Sequence, residues 1–187
     1  MTDFLFLSLC RNFKERNLDE FNKNLSSFEA HTDDLPPNEK ILVSAFLARV
    51  MHGQMLDVFF EEDEKVFPLM SAAKIWSELK EKVEDESLVE NMSILLIVQS
   101  VAVCLENGSN ASRVFQWCEK NLDFPSGLRI KLATVVTQKD NYHSLIRSSA
   151  TTAFWRPLRY SWMHFWKRIP LIIFLRLFKQ TADVTDC

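Results

Sequence analysis

The sequence predicts an all-α fold, a multi-helix bundle. Apolar residues recur at i, i+3 and i+4 through most of the chain, the mark of helices that bury one face. Only 3 of the 187 residues are glycine, very few for a sheet protein rich in turns. Leu, Glu, Lys, Ala and Ser are common instead, and no internal repeat of about 34 residues is visible, which disfavours a helical solenoid. Apolar residues make up 47% and charged ones 25%, ordinary globular values in a chain long enough for one domain with a real core.

Each element has a local justification. Phe6, Leu9, Cys10 and Phe13 share one face of a first helix. Leu18, Phe21, Leu25 and Phe28 repeat the spacing in a second. The run Asp33-Asp-Leu-Pro-Pro37 breaks it, and Pro36 and Pro37 suit the first turn of the next. A third helix over about Asn38–Met51 should bury Ile41, Leu42, Ala45, Phe46 and Ala48, with Gly53 as its C′ residue. Pro68 opens a fourth, with Leu69, Ala72, Ile75, Trp76, Leu79 and Val83 inward. The charge run Glu78–Glu86 reads as a solvated face. Ser87 can cap a fifth helix, in which Ile94–Leu105 is apolar nearly all round and therefore central to the core. Glu106-Asn-Gly108 ends it. Ser109 can cap a sixth, with Val114, Phe115 and Cys118 inward. Pro125-Ser-Gly127 starts a seventh over Leu128–Gln138, and Lys139-Asp-Asn141 turns the chain into an eighth.

Several function classes find no support. The formal net charge is −3, which gives no electrostatic footprint for nucleic acid. Cys10, Cys104, Cys118 and Cys187 lie far apart without a C-x-x-C pair, against a zinc site or disulfide framework and for a reducing compartment. His31, His52, His143 and His164 lack metal-ligand spacing. The acidic cluster Glu61-Glu-Asp-Glu64 lacks the central glycine of a calcium loop. G-x-S-x-G, P-loop and H-E-x-x-H motifs are missing, so no catalytic residue, metal or cofactor is expected. No run approaches the roughly 18–20 apolar residues of a membrane helix. Ile169–Phe178, the greasiest stretch, is broken by Pro170 and Arg176.

The loop between the third and fourth helices stands out. It carries apolar Leu56 and Phe60 beside Arg49 and Glu64, and apolar and charged groups together on a loop suggest a docking surface. Read from the residues alone, the blander alternative is favoured: Phe59 and Phe60 anchor the loop to the core, and Glu64 is a helix-start carboxylate.

Ordered fragments around this loop resemble the dimerisation (homology) domain of the vertebrate telomeric repeat-binding factors, type 1 more than type 2. They are Asp3-Phe-Leu-Phe-Leu-Ser-Leu-Cys-Arg11, Phe46-Leu-Ala-Arg49, Leu56-Asp57, Phe60–Glu64, Pro68-Leu69, Ile75-Trp76, Ala102–Gly108, Gln138-Lys-Asp140 and His143-Ser144. The resemblance covers about Asp3–Ser144. It implies that Arg49, Leu56, Phe60 and Glu64 receive short Phe-x-Leu-x-Pro peptides of shelterin-type partners at telomeres in the nucleus. Such a site is physically reasonable: an aromatic face suits a proline ring, an apolar wall takes the leucine, and charged groups orient the backbone. The resemblance also implies homodimerisation, or pairing with a full-length family member, through the first helix (Phe4, Leu5, Ser8 and Leu9). That pairing should be weakened, because the front of the first helix and the family's last helices are lost or replaced here. The family's Myb-type DNA-reading module has no counterpart in this sequence, so specific DNA binding by this chain is not expected. The other readings are a generic helical adaptor and a dominant-interfering fragment.

The expected organisation is a homology domain over 1–147 and a basic, aromatic, poorly packed tail over 148–187. From Ser148 on there are six basic and two acidic residues and three of the five tryptophans. Reading the codons of Trp162–Lys167 one base earlier forces Asp, Ala, Phe or Leu, Leu and Glu. The same shift at Phe154-Trp155 forces a Leu, and amphipathic helical spacing returns. The tail therefore reads as an out-of-frame segment, which sequencing of the transcript across the codons for His143–Ser149 decides.

Overall fold

The computed structural model describes residues 1–138 apart from 34, 35, 37, 84, 85 and 125, and apart from the side chains of Leu88 and Ser126. The eighth helix and the 148–187 tail lie outside the described residues. Among the described residues every regular element is helical: α1 (Thr2–Glu15), α2 (Leu18–Thr32), α3 (Glu39–Met51), α4 (Pro68–Leu79) with a short 3-10 turn at Lys80–Lys82, α5 (Glu86–Glu106), α6 (Ala111–Asn121) and α7 (Ser126–Thr137). They fall into two units, one containing Met1–Ser44 and the other beginning at Ala45.

In the first unit α1 and α2 form an antiparallel pair. Phe6, Leu9, Cys10 and Phe13 are buried on α1, and Phe21 and Phe28 on α2. Phe6 packs on Phe28 and Phe13 on Phe21, with ring centroids 6.1 and 6.3 Å apart. The connection is short because Arg16 takes a left-handed conformation (φ 57°). That lets the Arg16 and Asn17 N–H groups return to the Phe13 and Asn12 carbonyls, closing the helix end as a Schellman motif does. The Asn17 side chain then accepts the Glu20 N–H at 3.2 Å and caps α2, as Asn commonly does at this position.

The second unit is layered around α5. Helix α4 packs on α5, α5 on α6 and α6 on α7, with α6 also meeting α4. Met92, Leu95–Val98 and Ser100–Leu105 of α5 are buried, as its all-round apolarity predicts. The expectation that no stretch reaches membrane length needs correction here. Val89–Glu106 is 18 residues long with mean hydropathy 1.5, long and apolar enough to cross a membrane, yet 61% of it is buried inside the protein. Core burial accounts for its apolarity. The Trp76 indole N–H donates to Ser93 Oγ at 3.0 Å, joining α4 to α5. Lys80 Nζ reaches Asp123 Oδ2 at 2.6 Å, and Arg129 Nε reaches Glu119 Oε1 at 2.9 Å, joining α7 to α6.

Some local expectations shift. Helix α3 begins at Glu39, and Asn38 caps it by accepting the Ile41 N–H, so Pro36 precedes the helix. Its buried residues are Val43, Ser44, Phe46, Leu47, Ala48 and Val50, while Ile41, Leu42 and Ala45 are only half-buried. Ser87 lies inside the first turn of α5, and Val83, beyond α4, is half-buried. Asn110, not Ser109, caps α6 by accepting the Arg113 N–H at 3.0 Å. Ser109 belongs to the preceding turn, where its N–H bonds the Cys104 carbonyl past a left-handed Gly108 (φ +65°). Helix α7 begins two residues before the predicted Leu128. The three described cysteines are buried and unpaired. Burial pushes the Cys10, Cys104 and Cys118 thiols up to about 12, 11 and 12, which keeps them protonated and unreactive.

Gly53 is needed for space rather than for helix capping. Its φ is not positive, but a Cβ there would stand 2.6 Å from Leu69 Cδ2 and 3.0 Å from the Val50 carbonyl oxygen. Leu69 is itself 2% exposed and has little room to retreat. Gly53→Ala should therefore cost about 1–3 kcal/mol, the usual penalty of overpacking. Urea denaturation measures it, and an unchanged midpoint would show that this junction is looser than the packing implies.

Candidate functional site

The candidate site lies wholly in the second unit, at the end of α3, along the 52–67 loop and in the first turn of α4. Arg49 projects from the last turn of α3. Its Nη1 donates to the Ala45 carbonyl one turn back at 2.9 Å. Its Nε donates to Ser71 Oγ at 2.6 Å. The Ser71 hydroxyl in turn donates to Glu61 Oε1 at 2.7 Å, and Lys74 Nζ stands 3.5 Å from Glu61 Oε2.

Phe60 lies beside this network. The Arg49 guanidinium sits over its ring, 4.8 Å from the centroid, within the range of a cation–π contact. The His52 ring meets Phe60 edge-on at 5.7 Å, and His52 is steadied by a 2.8 Å contact from Nδ1 to the Ala48 carbonyl. Phe60 is thus held on two sides and remains half-buried. Leu56 is half-buried on the same loop. Met55 and Phe59 are 37% and 43% exposed, so the loop presents apolar surface. The loop is pinned by a turn in which the Val66 N–H bonds the Asp63 carbonyl and the Lys65 N–H bonds Asp63 Oδ1.

Of the four residues expected from sequence, the structure joins Arg49 and Phe60 directly. Leu56 shares the loop with Phe60. Glu64 is exposed and joins no ion pair among the described residues; the acid tied to Arg49 is Glu61. The anchoring alternative divides between the two rings, since Phe60 is held while Phe59 faces solvent. Sequence reading missed Glu61, Ser71, Lys74 and His52. Ser71 carried a signal, a hydroxyl on the otherwise apolar first turn of α4. Of the four α1 residues expected at a pairing surface, Phe4 is 70% exposed, Leu5 and Ser8 are half-buried, and Leu9 is fully buried within the chain. No group of metal-binding side chains occurs among the described residues.

No protein-family model matches the chain. It is 36% identical over 154 residues to telomeric repeat-binding factor 1 of Mus musculus, a match covering 79% of this chain and 36% of that protein. It is 27% identical over 120 residues to telomeric repeat-binding factor 2 of Gallus gallus, covering 62% of this chain and 17% of that protein. This chain carries a telomeric repeat-binding factor homology region. The homology region spans little more than a third of the mouse factor and about a sixth of the chicken one, with identity higher to type 1.

Electrostatics tie the homology region's loop together. The hydrogen bond from Ser71, helped by Lys74 and Arg49, holds the Glu61 carboxyl below its ordinary value of 4.5. A lowered folded-state value means that the ionised form favours the folded protein. This stabilisation is complete above the ordinary value and fades as pH falls through the lowered one. On acidification below pH 4.5, the urea midpoint of the wild type should therefore drop toward that of Glu61→Gln. Asp3 and Asp123, held low by Lys40 and Lys80, titrate alike in both proteins and cancel. A gap that stays constant through the acid range would show that the Glu61 charge does not stabilise the loop.

Proposed function

We propose that this homology region is a telomere-associated protein-interaction domain, nuclear by family, that docks short Phe-x-Leu-x-Pro peptides of shelterin-type partners on the surface formed by Arg49, Leu56, Phe60 and Glu64. The observation that carries the reading is the setting of Phe60. A phenyl ring fixed between Arg49 and His52 yet open on its remaining side can stack on a ligand without first being ordered. Leu56 extends the apolar surface, and Met55 and Phe59 widen it. Arg49 and Glu64 add charges of opposite sign with which a peptide backbone can be oriented. The generic-adaptor reading is weaker, because it leaves these partly exposed apolar residues unexplained.

The same proposal takes the homology region to end near Arg147. The match to the mouse factor occupies 79% of the chain, about 148 residues, which is the length of the stretch before the change in composition. Any pairing of two copies through Phe4, Leu5 and Ser8 should be weak. Phe4 is exposed and ready for contact, but Leu9 is committed to the interior. Light scattering over a concentration series should find mostly monomer, and a monodisperse dimer would overturn this part.

Phe60→Ala should weaken peptide binding by about 2 kcal/mol or more, as loss of a central interface aromatic commonly does, while the domain stays folded. Titration calorimetry with a synthetic Phe-x-Leu-x-Pro peptide and thermal melts of both proteins check this. Unchanged affinity, or a collapsed melting point, would remove Phe60 from the docking surface.

A further inference from the structure

Resting on the docking reading above, we propose that Ser71 is a positioning residue of that surface: it holds the Arg49 guanidinium over the Phe60 ring and is itself held by Glu61. Five serines elsewhere on these helices give their hydroxyl hydrogen to their own helix. Ser26, Ser27, Ser77, Ser93 and Ser100 each donate to the carbonyl four residues back. Ser71 instead links three elements, accepting from Arg49 on α3 at 2.6 Å and donating to Glu61 on the loop at 2.7 Å.

Ser71 is 0% exposed, so water cannot stand in for its hydroxyl. It sits in the first turn of α4, its N–H bonded to the Phe67 carbonyl at 3.1 Å, and is as rigid as the helix. A hydroxyl has one hydrogen to give, and Arg can only donate. The Glu61 carboxylate accepts the Ser71 hydrogen, which turns the oxygen lone pairs toward Arg49 Nε. The guanidinium is then bonded at Nε to Ser71 and at Nη1 to Ala45, and two bonds to a planar fork fix its plane. That plane lies over Phe60. With Ser71 replaced by Ala, the Nε bond is gone and the guanidinium plane over the ring loses one of the bonds that fix it.

The test is a double-mutant cycle on the full chain, read by calorimetric titration of a synthetic Phe-x-Leu-x-Pro peptide. Ser71→Ala should weaken binding about 3–10-fold in the wild type but change it less than about twofold in an Arg49→Met background, because coupled residues lose their effect when the partner is gone. Equal losses in both backgrounds would mean that Ser71 supports the fold and not Arg49, and overturn the proposal; so would wild-type affinity in Ser71→Ala. If a thermal melt shows Ser71→Ala to be unfolded, Glu61→Ala at the more exposed end of the relay takes its place, with the same expected loss and the same disappearance beside Arg49→Met. Phe60→Ala separates the two readings. Peptide binding that is lost in Phe60→Ala but intact in Ser71→Ala sinks only the positioning role. A wild type that binds no peptide sinks the docking surface and the positioning role with it.

Discussion

Helix α5 is apolar on every side, and such a helix cannot stand in water without neighbours to cover it. Within its unit, α4 and α6 do this. The demand reaches well beyond the core. To cover α5, α4 must bury Leu69, Met70, Ala72, Ala73, Trp76 and Leu79, which fixes its rotation about its axis. With that rotation set, Ser71 is turned inward toward the end of α3. Gly53, lacking a Cβ, lets the chain leaving α3 pass against Leu69. Burial of one apolar helix thus determines where a single hydroxyl sits some twenty residues away in sequence, and the hydroxyl determines where Arg49 points.

The contacts in that site are unequal. The Lys74–Glu61 pair is 3.5 Å apart with the Lys side chain 63% exposed, and an exposed pair of this kind contributes about 0–1 kcal/mol. The bonds through Ser71 are shorter, are assisted by charge at both ends and are shielded from water. Bonds of that type are roughly twice as strong as neutral ones, and a buried member left unpaired costs about 1–3 kcal/mol. The geometry of the site is therefore governed by Arg49, Ser71 and Glu61, with Lys74 as a peripheral counter-ion. Arg49 over Phe60 adds a cation–π attraction of about 0.5–1 kcal/mol for a partly exposed contact, enough to bias the ring but not to hold it alone.

Among the described residues, helix order and apolar faces were legible because periodicity reports which side of a helix is dry. Phe13, Phe21, Phe28, Trp76 and Leu96 are buried on that account. Helix ends were less legible, since Asn and Ser compete as caps: Asn110 prevailed over the neighbouring Ser109, whose N–H was already committed to closing α5. Gly53 was misassigned for a related reason. Spacing indicates that a glycine is needed near a helix end, but not whether a positive φ or a missing Cβ is the need. At the site, Phe60 was visible as an odd residue for a loop, with Arg49 beside it at the end of α3. Glu61 could not be told from Glu62, Asp63 and Glu64 in an unbroken acidic run, because the choice depends on which carboxylate faces Ser71 in three dimensions. Membrane length was misjudged at Val89–Glu106 because its few polar residues, such as Ser93 and Gln99, conceal a high average hydropathy.

What remains is why an aromatic proposed to dock a peptide should be half-buried at all. A ring buried completely offers a ligand nothing, and a ring exposed completely must be ordered on binding, at about 0.5–1.5 kcal/mol for a mobile side chain. Phe60 avoids both extremes. His52 and Arg49 restrain it from within the fold, and it stays half-buried on the loop that also carries Leu56. Arg49 stands in the last turn of α3 and His52 just past its end, tied back to the Ala48 carbonyl, so the ring's orientation is set by the helix end rather than by the rest of the loop. The loop need only deliver Phe60 to its place, and the turn at Asp63–Val66 together with the Glu61–Ser71 bond brings it there. A site built this way takes its stiffness from the bundle core, and under the proposed docking function core packing around Leu69 and Ser71 would set the shape of the surface that a peptide meets.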